Sequence, residues 1–144
     1  QLKRRYLDGG PLQSLLGAAC IKFLESYRDD MRQALRLAKR FSAPEQIRDL
    51  AAKAQPFLSL CNQTGEGWLL TAEIVDLIEK GANAIICMQP FACLPNHISG
   101  RGMIKSLKEK YPHVRIIAID YDASASYVNQ INRVRLLLDG CRAQ

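Results

Sequence analysis

The spacing of apolar positions changes once along this chain, near Pro56. Before that point Leu12, Leu15, Leu16, Ala19, Cys20, Phe23, Leu24 and Tyr27 recur at steps of three and four, the period of one face of an α-helix. They predict an amphipathic helix entered after Gly9, Gly10 and Pro11, with Cys20 as a small buried hydrophobe of its stripe. A second helical stretch is expected from about Asp30 to Arg40. Ser42, Pro44 and Glu45 have the spacing of a capping box, which predicts a short helix running through Ala54.

After Pro56 short apolar runs alternate with helical patterns. Phe57 to Cys61, Ala84 to Met88 and Val114 to Ile119 read as strands, and each is followed by a loop and a helix. The helices are expected at Trp68 to Lys80, closed by Gly81, at Met103 to Lys110, and at Ala125 to Asp139, the last burying Val128, Ile131, Val134, Leu137 and Leu138. Parallel neighbours need crossover connections, so this β-α-β-α-β-α order implies a three-layer α/β fold, a Rossmann-like or flavodoxin-like parallel sheet. Residues 1–56 form its helical lead-in, and the chain of 144 residues reads as one domain cut from a longer polypeptide.

Composition removes several function classes. With 48% hydrophobic and 24% charged residues, disordered, collagen-like and coiled-coil chains are excluded. No apolar run is long enough for a membrane span or a secretion signal, so a cytoplasmic protein without a membrane partner is expected. The net charge of +6 sits mostly in residues 1–49, which hold ten Lys/Arg against six Asp/Glu. A solvated helix face explains that surplus better than nucleic acid, because aromatic residues are only 7% and none forms a stacking platform. Five cysteines without regular spacing argue for reduced thiols rather than a disulfide framework.

In parallel α/β sheets ligands bind beyond the carboxyl ends of the strands, which singles out the loops 62–67, 89–102 and 120–124. The second loop exceeds the usual connection of about two to six residues. Its Cys93 has three competing roles: a thiolate ligand of an iron–sulfur cluster, a nucleophile paired with His97, or an inert thiol under the loop. The residues alone favour the inert thiol, since the separation of Cys87 from Cys93 matches no familiar zinc or ferredoxin spacing. Cys87 lies within a strand and reads as structural, while Cys61 ends one and is a weaker candidate ligand. His97 can serve as an acid or base or bond the loop backbone, and Asn96 can hold a turn. Gly100 and Gly102, with Arg101 between them, allow a close anion approach, though GxG alone is a weak phosphate signal. Glu66 would repel a phosphate and is better read as a loop-fixing or helix-capping acceptor. Asp120 and Asp122 could hold a metal or a ligand hydroxyl, but more often cap the next helix.

Four segments taken together, Gly65-Glu-Gly-Trp68, Gln89-Pro-Phe-Ala-Cys-Leu-Pro-Asn-His97, Ile119-Asp-Tyr-Asp122 and Asn129-Gln-x-Asn-Arg133, give the chain a family likeness. From about residue 57 to residue 139 it resembles the last segment of the CoA-substrate-specific enzyme activase, or acyl-CoA dehydratase activase-related, proteins, which are similar to the subunits of 2-hydroxyglutaryl-CoA dehydratase. The resemblance implies an oxygen-sensitive iron–sulfur protein of anaerobic metabolism, acting on or beside 2-hydroxyacyl-CoA dehydration. It places Cys93 at the position of a cluster ligand, and puts Gln89, Pro90, Asn96 and His97, with Glu66 from the first loop, around the cofactor. The implied partners are other domains of the same polypeptide or a dehydratase or activator protein, with acyl-CoA as a ligand. Arg133 matches an arginine of the dehydratases' final helix and is expected to pack or form a salt bridge. The activator's nucleotide-binding glycine and aspartate motifs are absent, so ATP hydrolysis is not expected of this segment. Nor does it contain the other cluster-donating domains, so alone it is expected to be inactive and to hold no metal. A non-catalytic CoA-binding, nucleotide-binding or docking module is the alternative.

Overall fold

The computed structural model describes residues 11–38 and 42–142. The basic start of the chain and the expected helix end at Arg40 lie outside them. The chain divides into two compact units, Gln1–Glu45 and Gln46–Gln144.

In the first unit one helix, α1 (Pro11–Leu37), replaces the two that were expected. No glycine or proline separates Tyr27 from Asp30, and Glu25 bridges that stretch by accepting from Arg28 at 2.9 Å and Arg32 at 3.2 Å. Its apolar stripe is exposed rather than buried, with Phe23 at 61% and Tyr27 at 69%, and Cys20 is exposed with it.

The second unit is mixed α/β. Helix α2 (Ile47–Ala54) begins beyond the expected capping box, because Gln46 takes the cap position and no side chain caps it. Helix α3 (Leu69–Glu79) ends as expected at Gly81, whose φ of 95° permits a Schellman closure. There the Ala82 N–H donates to the Leu77 carbonyl and the Gly81 N–H to the Ile78 carbonyl, both at 2.9 Å.

Strands β1 (Ala84–Pro90) and β2 (Arg115–Tyr121) pair in parallel with Ile85 opposite Ile116 and Gln89 opposite Asp120. Between them runs α4 (Ile104–Lys110), and α5 (Tyr127–Arg142) follows β2. The core joins Ile74, Val75 and Ile78 of α3 to Ile85, Leu107, Val114 and Ile116, so α3 and α4 cover the same sheet face.

Two sequence expectations change here. Residues 57–61 form turns instead of a strand: the Phe57 and Leu58 N–H groups donate back to the Ala54 carbonyl at 2.9 and 3.1 Å. Their apolar signal reflects burial, since Phe57 packs on the core cluster and lies 6.3 Å from the Tyr111 ring. Of the five residues expected on the buried side of the last helix, Leu137 is 4% exposed but Val128 and Leu138 are 63% and 49% exposed, because a two-stranded sheet is too narrow to cover the whole stripe.

Candidate functional site

The carboxyl end of β1 carries a network of buried, hydrogen-bonded polar groups. Strand alternation puts Cys87 and Gln89 on one face, both buried, while Ile86 and Met88 face the other way at 40% and 55% exposure. At Pro90 the strand turns: its carbonyl accepts from the Cys93 N–H at 3.1 Å, closing a turn in which Ala92 has a φ of 58°. A left-handed alanine is uncommon and strained, and this one sits next to the cysteine it presents.

Beyond Cys93 the expected loop is helical. Pro95 falls in the first turn, where a missing N–H costs nothing, so proline here begins a helix instead of breaking it. The first full turn, Asn96–Gly100, is a π-helix followed by a short tight turn, Arg101–Met103, leading into α4. The Asn96 carbonyl accepts from the Arg101 N–H and also from Gln89 Nε2 at 3.1 Å, using both of its lone pairs. The wider π turn admits that second donor from the strand.

Gln89 is the hinge of this arrangement. Nothing of it is exposed, and its amide nitrogen donates to both the Asn96 carbonyl and the Cys87 sulfur at 3.1 Å. Its Oε1 is buried without a partner, which costs about 1–3 kcal/mol unless an incoming donor meets it. Burial pushes the Cys87 thiol up, and the Gln89 hydrogen bond opposes that shift. Asn96, 9% exposed, donates from Nδ2 to the Cys93 sulfur at 3.1 Å. Cys93 itself is half-buried. Around it Phe91, Leu94 and Ile98 are 81%, 59% and 50% exposed, an apolar rim at the mouth of the loop.

The other expected residues distribute as follows. The His97 N–H donates to the Cys93 carbonyl at 3.1 Å, but the group bonded to the sulfur is the Asn96 amide and not the imidazole. Glu66 acts through its backbone, its carbonyl accepting from the Leu69 N–H at 3.0 Å, and its side chain is exposed. Cys61 is exposed in a turn held by Ser59, and no bond joins it to Cys93 among the described residues. Gly100 serves packing: a Cβ there would lie 2.9 Å from the Cys87 sulfur, so glycine lets the π turn close on the strand. Arg101 pairs loosely with Asp120 at 3.6 Å. Asp122 Oδ1 accepts from the Ser124 hydroxyl and N–H, both at 2.6 Å, which closes a turn and holds the carboxyl below its ordinary range.

Loop 62–67 meets the second loop through Gly65, where a Cβ would stand 2.9 Å from Pro95 Cγ. Two further ties were not legible as functional positions: the Thr71 hydroxyl donates to the Ser99 carbonyl at 2.5 Å, and the Ser99 hydroxyl to the Pro95 carbonyl at 3.0 Å. Both Thr71 and Ser99 are buried, so α3 clamps the π turn from behind. A threonine inside an apolar helix face was the signal that could have flagged the first.

Among the described residues no three His, Cys, Asp or Glu side chains converge as a metal-binding group. No helix among them is long and apolar enough to cross a membrane. Comparison with protein families, curated proteins and solved structures yields no match.

Proposed function

We propose that this chain is the C-terminal module of a 2-hydroxyacyl-CoA dehydratase-like or activase-related iron–sulfur protein, and that Cys93 supplies one thiolate to a cluster completed by other domains. The observation that carries the reading is the half-buried Cys93 sulfur, held by the Asn96 amide at the carboxyl end of β1 within an exposed apolar rim. Amide donors stabilise thiolate sulfur, and donors to ligand sulfur tune a cluster's potential. Among the described residues no group of three or more His, Cys, Asp or Glu converges, so the remaining ligands would come from other domains. Such a cluster, when bound, delivers single electrons to an acyl thioester.

The chain's own residues position that sulfur. The strained turn at Ala92 lifts Cys93 off the strand, Asn96 fixes the direction of its sulfur, and Gln89 locks the π turn to β1. The exposed Met88, Phe91 and Leu94 form the surface against which companion domains would exclude water. In the assembled protein the two-stranded parallel sheet is part of a larger Rossmann-like or flavodoxin-like form. Ile86 and Met88, exposed on the sheet face opposite the core, leave that face open to the further layer such a fold has.

The test is anaerobic reconstitution of the full-length polypeptide with iron and sulfide, comparing wild type with Cys93→Ser. Loss of cluster absorbance in the variant is expected, and an unchanged spectrum would remove the proposal. The second reading, a docking module without a metal role, is favoured by the exposed stripe of α1, and it predicts that unchanged spectrum.

A further inference from the structure

The outer edge of β2 carries a feature unconnected with Cys93. A cleft of about 540 Å³ runs beside it, lined by the consecutive residues Val114, Arg115, Ile116 and Ile117, by Lys108 of α4 and by Arg133 of α5. Three of these, Arg115 to Ile117, open β2, so the cleft follows the start of the strand, over roughly 10 Å at ~3.3 Å per residue. Helices wall it on both sides. Leu107 of α4 packs with Ile116 in the core, whereas Gly140 of α5 abuts the guanidinium of Arg115, which alternation sends to the opposite face.

The register shows what the edge offers. The Arg115 N–H donates to the Asn83 carbonyl at 2.8 Å, so in a parallel ladder the backbone groups of Arg115, Ile117 and Ile119 face β1. Those of Ile116, Ala118 and Asp120 face outward. Gln130 Nε2 donates to the Asp120 carbonyl at 2.9 Å, which closes the far end of the edge. The outward groups of Ile116 and Ala118 have no partner among the described residues. Ile116 is 1% exposed, so bulk water does not complete its bonds either. Arg115 Nε is also buried and unpartnered.

Charge selects the occupant. The cleft presents three cations, Lys108, Arg115 and Arg133, and no carboxylate. A second copy of this chain would bring like charge to like charge. We propose that the cleft receives an extended acidic segment of a partner polypeptide, which adds to β2 as a further strand and displaces the long cationic side chains lining the edge. Backbone pairing with Ile116 and Ala118 supplies the geometry, and carboxylates meeting Lys108, Arg115 and Arg133 supply selectivity. This holds whether or not Cys93 ligates a cluster.

The experiment titrates the isotope-labelled full chain with a short synthetic peptide alternating valine and glutamate, followed by amide resonances and hydrogen exchange. Binding that protects the Ile116 and Ala118 amides is expected. The lysine counterpart and a backbone N-methylated glutamate peptide should not bind. Ala118→Pro removes an outward N–H that β1 does not use and sets a ring in the path of the added strand, so it should weaken binding by at least about tenfold. Lys108→Gln with Arg133→Gln, both exposed positions, should weaken it comparably without touching the fold. No binding at millimolar glutamate peptide, equal binding of the N-methylated peptide, or full competition by inorganic phosphate would each overturn the proposal.

Discussion

Gly100→Ala tests the packing beneath the candidate site directly. A Cβ at this position would come within 2.9 Å of the Cys87 sulfur and 3.5 Å of Gln89 Nε2. Non-bonded heavy atoms rest at about 3.5–4.0 Å, so the sulfur contact is roughly 0.6 Å too short. Neither neighbour can yield cheaply: Cys87 is 8% exposed, and Gln89 is fully buried and tied to the Asn96 carbonyl. Overpacking of this kind costs about 1–3 kcal/mol. Gly100 has φ −94° and ψ −83°, outside the helical region, so alanine recovers little helical preference and the net loss stays at about 1–3 kcal/mol. Urea unfolding at constant slope measures the loss as a lower midpoint. The decisive comparison is the same substitution in a Cys87→Ala background, where the obstructing sulfur is gone. There Gly100→Ala should be neutral or stabilising, a coupling of about 1–3 kcal/mol between the two positions. Equal destabilisation in both backgrounds would refute the contact, and so would a Gly100→Ala variant as stable as wild type.

Further outcomes are expected elsewhere. Thr71→Val, which leaves the buried Ser99 carbonyl without its 2.5 Å donor, should cost about 1–2 kcal/mol in the same unfolding assay. Ala92→Val places a β-branched residue at a φ of 58° and should destabilise by about 1–3 kcal/mol, whereas Ala92→Gly should be tolerated. Under brief alkylation followed by mass spectrometry, exposed Cys20 and Cys61 should label first, half-buried Cys93 later, and Cys87 only on unfolding; labelling of Cys87 at the rate of Cys61 would contradict its burial. Asp76 lies 14% exposed between Lys53 at 2.6 Å and Lys80 at 2.7 Å. Burial pushes its carboxyl up, but the two ammonium groups prevail and hold it below the ordinary aspartate range. Its stabilising contribution is therefore complete above that range and drains away as pH falls through the lowered folded value. Asp76→Asn should flatten the acid limb of a stability-versus-pH curve.

Some elements were legible because one physical cause dominated each. Gly81 after an apolar helix face marked the end of α3, and the runs around Ile85 and Ile116 marked two buried parallel strands. Elsewhere one signal served two structures. Apolar Phe57 and Leu58 mark burial, and burial alone does not distinguish a strand from a turn folded against α2. Pro95 resembles a breaker in sequence, yet its place in a first turn makes it a starter. Around Cys93 the sequence singled out residues 89–102, with Gln89 and Asn96 among them, but read as a loop a segment that is helical from Leu94 onward. Which amide reached which sulfur was not legible, because that depends on the π turn at 96–100 and on the bond that Gln89 makes to it across the fold. The cationic cleft was equally hidden, since Lys108, Arg115 and Arg133 share no periodicity and meet only through topology.

The abutment of Gly65 on Pro95 makes the loop that carries Cys93 non-portable. Transplanting residues 89–102 onto another parallel sheet would reproduce the turn, the π-helix and both amides, yet the proline ring would collide with any ordinary side chain in the neighbouring connection. A successful graft has to carry the glycine from the other loop along with it.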